Sequence, residues 1–243
     1  MKKIIAVILL VSLSAFSQHK VIDVKIDSIN FDDSNPKKRV YSINYHVENL
    51  TNNSISFFLL PNSLIANAAS SMTLFPIYKL YVNGVFIPLD GPFFERDGWE
   101  EKLHDIKDFN SPEAKEIIKK VVEEYNIKNK AVIDNYKREG GKSTDENWIL
   151  RNHRLMESIV TLNPREIRTF NIKTAWNKER YFKEEDLEYY LDEKDDYLFE
   201  LVLDLKKTFF KEQLTPEEYS KLEKDKNFIQ GVFTTNKATI NFK

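Results

Sequence analysis

The chain has 243 residues, 36 basic and 38 acidic side chains and a net charge of −2, which leaves no basic excess to attract a nucleic-acid backbone. It contains no cysteine, which excludes disulfide staples, thiolate metal ligands and thiol catalysis. With 42 % hydrophobic and 30 % charged residues it has the balance of a globular protein able to bury a core, not that of a disordered chain.

The first seventeen residues stand apart. Lys2 and Lys3 form a basic start, Ile4 to Leu13 an apolar run, and Ala15 and Ser17 the small residues of a cleavage site before Gln18, the pattern of a secretory signal peptide. The apolar run falls short of the roughly 20 residues that cross a bilayer. The expectation is a signal peptide over 1–17 and an exported mature chain over 18–243, periplasmic or extracellular, with no transmembrane segment. Removing Lys2 and Lys3 leaves 34 basic against 38 acidic residues, a net charge of −4. Without cysteine, the cleavage region cannot be a lipoprotein anchor site.

Ile22, Val24 and Ile26 alternate with Asp23, Lys25 and Asp27, which predicts a first strand over 21–31. A polar turn over 32–38 follows, with Pro36 biasing Asn35 away from helix. The fold is organised around the next stretch, 39–60. There Tyr41, Ile43, Tyr45 and Val47 alternate with Ser42, Asn44, His46 and Glu48. A one-residue slip would turn all four apolar side chains outward, so the register is well specified. Turn residues at 50–54 precede Ile55, Phe57 and Leu59, and the two runs are predicted to fold back on each other as an antiparallel pair. Residues 61–73 lack a period and read as a loop. Asn83-Gly84, between Tyr78–Val82 and Val85–Ile87, predicts a type I′ hairpin. A glycine-punctuated loop over 90–99 carries Phe93, Phe94 and Trp99.

The period changes over about 97–160. Ser111, Pro112 and Glu113 read as N-cap, first helical proline and first-turn acid. Ala114, Ile117, Ile118, Val121, Val122 and Tyr125 then recur at helical spacing. A polar patch at 126–130 is a natural place for a break before Val132, Ile133 and Tyr136 continue the face. Gly140-Gly141 ends this helix. Ser143 with Glu146 predicts a capping box for a second one, striped by Trp148, Ile149, Asn152, Leu155, Met156 and Ile159. The two predict an αα-hairpin inserted into a β-rich chain. Its apolar stripes must be covered by the rest of the chain, by a partner or by a lipid surface.

Strand character returns after Pro164, with Phe170, Ile172 and Thr174 on one face. A short helix is predicted over 180–191 and a strong strand over 197–205, where Phe199, Leu201, Leu203 and Leu205 share a face. Thr215, Pro216 and Glu218 predict a capped helix stapled by Leu214 onto Tyr219. Strands over 228–233 and 238–242 close the chain. Eight or nine antiparallel strands with regularly spaced turns predict a β-sandwich. Three motifs punctuate the order: N-x-T at Asn49–Thr51, L-x-P-x-E at Leu162–Glu166, and G-x-F-x-T-N at Gly231–Asn236. In these the chain resembles exported bacterial immunoglobulin-like sandwiches, and is similar to the small sandwich of the intracellular proteinase-inhibitor type. The resemblance covers about 150 residues, omits the helical insertion and lacks the Cys-Trp-Cys core of antibody domains. It implies an immunoglobulin-like sandwich and suggests peptidase inhibition, although the fold hosts many activities.

No hydrolase, P-loop or dinucleotide signature occurs, so no catalytic, cofactor or metal residue is assigned. His19, His46, His104 and His153 do not fall at metal-ligand spacing. His46 reads as a solvated strand residue, and Asp105 beside His104 in sequence does not orient it. Asp192, Glu193, Asp195 and Asp196 gather oxygen donors that suit calcium, but without an EF-hand pattern, and a solvated charge run is the simpler reading. Phe93, Phe94 and Trp99 are the candidate partner-binding residues, since aromatics are enriched at hot spots; packing of the insertion is their plainer role. The expectation is a non-enzymatic binding or structural module with no cofactor, whose partner is another envelope or extracellular protein. A secreted peptidase inhibitor and a carboxylate- or calcium-dependent hydrolase are the alternatives.

Overall fold

The computed structural model describes residues 20–66, 74–87, 93–95, 106, 108–178 and 195–243. The signal peptide expected at 1–17 and the short helix expected at 180–191 lie outside them. The described residues are mainly antiparallel β-sheet, with a few helices between the strands.

β1 (Ile22–Asn35) and β2 (Lys38–Asn49) form one long hairpin. β1 runs through most of the expected polar turn, leaving only Pro36 and Lys37 to reverse the chain. The polar residues stay in the ladder because they find cross-strand partners: Asp33 accepts from Arg39 Nε at 2.7 Å and Nη2 at 2.5 Å. Buried Arg39 also donates to the carbonyls of Asn241 and Lys243. Its guanidinium holds the Asp33 carboxyl down from 3.8 to about 2.

β2 alternates buried and half-buried residues along its whole length, but its predicted partner is corrected. The run after the turn, β3 (Ile55–Phe58), pairs with β8 (Ile159–Leu162) and not with β2. β2 is flanked instead by β1 and by β9 (Ile167–Asn177), strands of matching length, whereas β3 offers four residues. Buried Asn49 redirects the chain. Its Nδ2 donates to the carbonyls of Asn53 and Asn163, each at 2.8 Å, and its Oδ1 accepts from Thr51 N at 2.9 Å. The N-x-T turn is thereby fastened to the connection between β8 and β9. With β7 (Phe93–Glu95) on the far side of β9, the sheet order is β1-β2-β9-β7.

A six-stranded sheet contains β4 (Ile65–Ala66), β5 (Ile77–Val82), β6 (Val85–Ile87), β10 (Tyr197–Leu205), β11 (Gly231–Thr234) and β12 (Ala238–Ile240). The β5–β6 turn has Asn83 and Gly84 at φ +49° and +82°, as the Asn-Gly signal requires. β11 and β12 lie end to end along β10; between them Thr235 Oγ1 accepts from Leu201 N at 2.9 Å. The two larger sheets feed one buried cluster, with Ile22, Tyr41, Ile43 and Ile172 from the first and Leu80, Phe199 and Leu201 from the second. Along the outer edge of β1, the Asn236 side chain accepts from Ile26 N at 2.8 Å and donates to Ile26 O at 3.3 Å.

Among the described residues the α-helices are α1 (Pro112–Arg138), α2 (Glu146–Glu157) and α3 (Pro216–Lys224). Ser111 caps α1 as expected, its Oγ accepting from Ala114 N at 3.1 Å. The patch at 126–130 does not break α1, because it holds no proline or glycine and its polar side chains need only face water. Gly140 sits at φ +85°, and the Tyr136 ring lies where a Cβ on Gly141 would fall, 2.2 Å away. The cap of α2 is Asp145, two residues past the expected Ser143: its Oδ1 accepts from Trp148 N, while Ser143 Oγ accepts from Asp145 N. The Thr215–Glu218 capping box of α3 is formed as the sequence predicts.

Candidate interaction surface

The two helices between β7 and β8 are held very differently. α2 buries Ile149, Asn152 and Leu155. Leu155 joins Phe58, Phe210, Leu214 and Phe228 in a second buried cluster. Polar bonds then fix its position. Trp148 Nε1 donates to Glu212 O at 2.9 Å, and Asn152 Nδ2 donates to Gln213 O and Glu218 Oε2, both at 2.9 Å. That same Glu218 oxygen accepts from Thr215 N at 2.7 Å, so one carboxylate caps α3 and anchors α2.

α1 has 27 residues and buries only Ala114 and Ile133. It leans on α2 through its C-terminal end, where the Tyr136 and Trp148 rings lie 6.1 Å apart and Lys137 pairs with Glu146 at 3.4 Å. At 1.5 Å per residue α1 is about 40 Å long and α2 about 18 Å, so α1 outruns its neighbour. A single apolar stripe runs the length of α1. Its C-terminal part, at Val132, Ile133 and Tyr136, is buried or half-buried. Its N-terminal part is divided: Ala114 is buried and Ile117 and Val121 are half-buried, whereas Ile118, Val122 and Tyr125 are 38 %, 49 % and 62 % exposed. This part of the helix is also supported from within by the i,i+4 pairs Lys120–Glu116 and Lys119–Glu123 at 3.4 and 3.9 Å.

Of the expected aromatic trio, the structure places Phe93 inward, half-buried, with its ring 5.1 Å from Tyr78 and 5.7 Å from Tyr41. Phe94 pairs through its backbone with Ala175, and Trp99 lies outside the described residues. His46 Nδ1 meets Asp27 Oδ1 at 2.7 Å and His153 Nε2 meets Glu157 Oε1 at 3.3 Å. His19, His104, Asp192 and Glu193 lie outside the described residues. Asp196 is exposed and accepts from Lys243 Nζ at 3.2 Å. Among the described residues no group of three His, Asp or Glu is arranged to hold a metal ion.

Two polar groupings satisfy themselves. Asn171 Nδ2 donates to Ser42 Oγ and Asn44 Oδ1 across the outer face of the first sheet, both at 2.7 Å. On the second sheet buried Glu200 accepts from Tyr81 at 2.6 Å; burial and then this bond push the Tyr81 hydroxyl up to about 12. Neither aims an uncommitted group at a ligand. The stripe of α1 is therefore the strongest candidate site. Its residues are visible in the sequence as helical periodicity, and what marks them as a surface is the difference in length between two consecutive helices.

No described helix is long and apolar enough to cross a membrane. Comparison with protein-family models, with curated proteins and with solved structures gave no match.

Proposed function

We propose that the chain is an exported binding module of the cell envelope or extracellular space. In this reading an immunoglobulin-like β-sandwich is the rigid body, α1 and α2 form an inserted αα-hairpin, and the N-terminal half of α1 is offered to a partner protein. The observation that carries the proposal is the uncovered stripe of Ile118, Val122 and Tyr125 on a helix that buries two residues of 27. Exposed apolar groups in one contiguous row mark interaction sites, and function concentrates on segments presented by a rigid scaffold. The basic–acidic balance supports a protein partner over nucleic acid.

The test is a photo-crosslinking residue at Tyr125, compared with one at exposed Lys173 on the outer sheet face, in the native envelope. A discrete adduct from position 125 and none from 173 is the expected result. Equal patterns from both positions, with both proteins folded, would discard the reading.

A further inference from the structure

Between the turn that follows β3 and the last turn of α2 lies a cavity of about 450 Å³, within the size range of small-ligand sites. Its walls are fixed by hydrogen bonds. Leu59 N donates to Ser158 O at 2.8 Å, Leu60 N to Leu74 O at 2.5 Å and Ile65 N to Pro76 O at 3.1 Å. The hydroxyl of buried Tyr45 donates to Pro61 O at 2.9 Å. The lining is mostly apolar, with Leu60, Pro61, Leu64 and Phe75 against the polar Asn62 and Ser63. Arg154 is the one charged side chain among the described residues that line it.

Arg154 has no anionic partner. Its guanidinium lies over the Phe75 ring, 5.3 Å from the centroid, and among the described residues no carboxylate pairs with it. Glu157, on the same turn of α2, pairs with His153 instead. An arginine in the last turn of a helix ordinarily serves the orphan carbonyls there. In α2 Ser158 already does so: its N–H bonds the carbonyls of Arg154 and Leu155, and its Oγ donates to Leu155 O at 2.7 Å. A guanidinium laid against a ring keeps its in-plane N–H groups for a second partner, and a carboxylate matches that fork.

We infer that this cavity binds a small carboxylic acid with an apolar body. Arg154 takes the carboxylate, and Leu60, Leu64 and Phe75 cover the chain. The site is separate from the stripe of α1 and does not depend on it. An amine with the same chain meets the wrong sign of charge. A peptide C-terminus has the same head group but fits less well, because its amides need partners, and the N–H groups of Leu60 and Ile65 are already bonded to Leu74 and Pro76.

Isothermal titration calorimetry on the purified full chain tests this with octanoate, octylamine and an acetylated Gly-Leu dipeptide. Octanoate is expected to bind saturably, and octylamine to bind about tenfold or more weakly, as the loss of a charge-assisted hydrogen bond implies. Arg154→Gln and Arg154→Met should each weaken octanoate by a similar factor with an unchanged melting temperature, because the side chain is exposed. Arg154→Lys, which keeps the charge without the fork, should recover part of the affinity.

No saturable octanoate binding overturns the inference, as does equal affinity for octanoate and octylamine. So does wild-type octanoate affinity in whichever neutral variant keeps its fold. Tighter binding of the dipeptide than of octanoate would assign the site to a peptide C-terminus and discard the small acid.

Discussion

α1 and α2 follow one another in the chain and carry similar stripes, yet one is built into the body and the other is not. α2 is the shorter, with 12 residues against 27, and it is the one that is fixed. Leu155 fills the second cluster, and Asn152 and Trp148 spend their donors on the segment leading into α3. α1 is stabilised mostly from within, by its Ser111 cap, its proline start and its i,i+4 ion pairs. An amphipathic pattern says that a helix has a face to cover. Whether that face is core or contact surface is decided by the length of its neighbour and by the polar anchors that neighbour owns.

The sharpest way to break the comparison is to cut α2 loose. Leu155→Ala, at a fully buried site, should cost about 3 kcal/mol, read from urea unfolding followed by circular dichroism. Asn152→Ala should cost about 1–2 kcal/mol, because it removes two bonds and leaves the Gln213 carbonyl without this donor; a lower denaturation midpoint at constant slope is the expected signature. If either change proves neutral, α2 is not the anchor described here.

An effect remote from both helices comes from Asp33. Its folded-state pKa is depressed from 3.8 to about 2 by Arg39, so the stability it contributes is complete above about 3.8 and is lost as pH falls through about 2. Melting curves of the wild type and Asp33→Asn should differ at pH 5 and converge toward pH 2. The smallest effect belongs to α1. Val122→Ala and Tyr125→Ala should each change stability by less than about 0.5 kcal/mol, and a larger loss in thermal melts would mean that the stripe is packed in solution.

Local rules made much of this legible from the sequence. The alternation from Tyr41 to Val47, the Asn83-Gly84 turn, the β10 run and the Thr215 capping box depend on neighbours within a few residues, and the structure forms each of them. The partner of β2 was hidden because turn chemistry at 50–54 reports that the chain reverses, not which strand it meets. That was decided by Asn49 reaching Asn163, more than a hundred positions away. The length of β1 was hidden for a similar reason, since Asp33 counts as a turn residue until Arg39 is placed opposite it. At the candidate surface, periodicity gives the stripe on α1. Only the placement of α2 shows which part of that stripe is left open.

The pairing of Asn236 with Ile26 reaches further than one side chain. β1 is a 14-residue strand at the border of its sheet, and such borders are where separate molecules stack into shared ladders. By occupying both the donor and the acceptor of Ile26, the amide of Asn236 mimics one peptide unit of a neighbouring strand and interrupts that row in its first half. A residue that adds nothing to the hydrophobic interior thus takes up hydrogen-bonding positions that an exposed strand edge would otherwise offer to another chain.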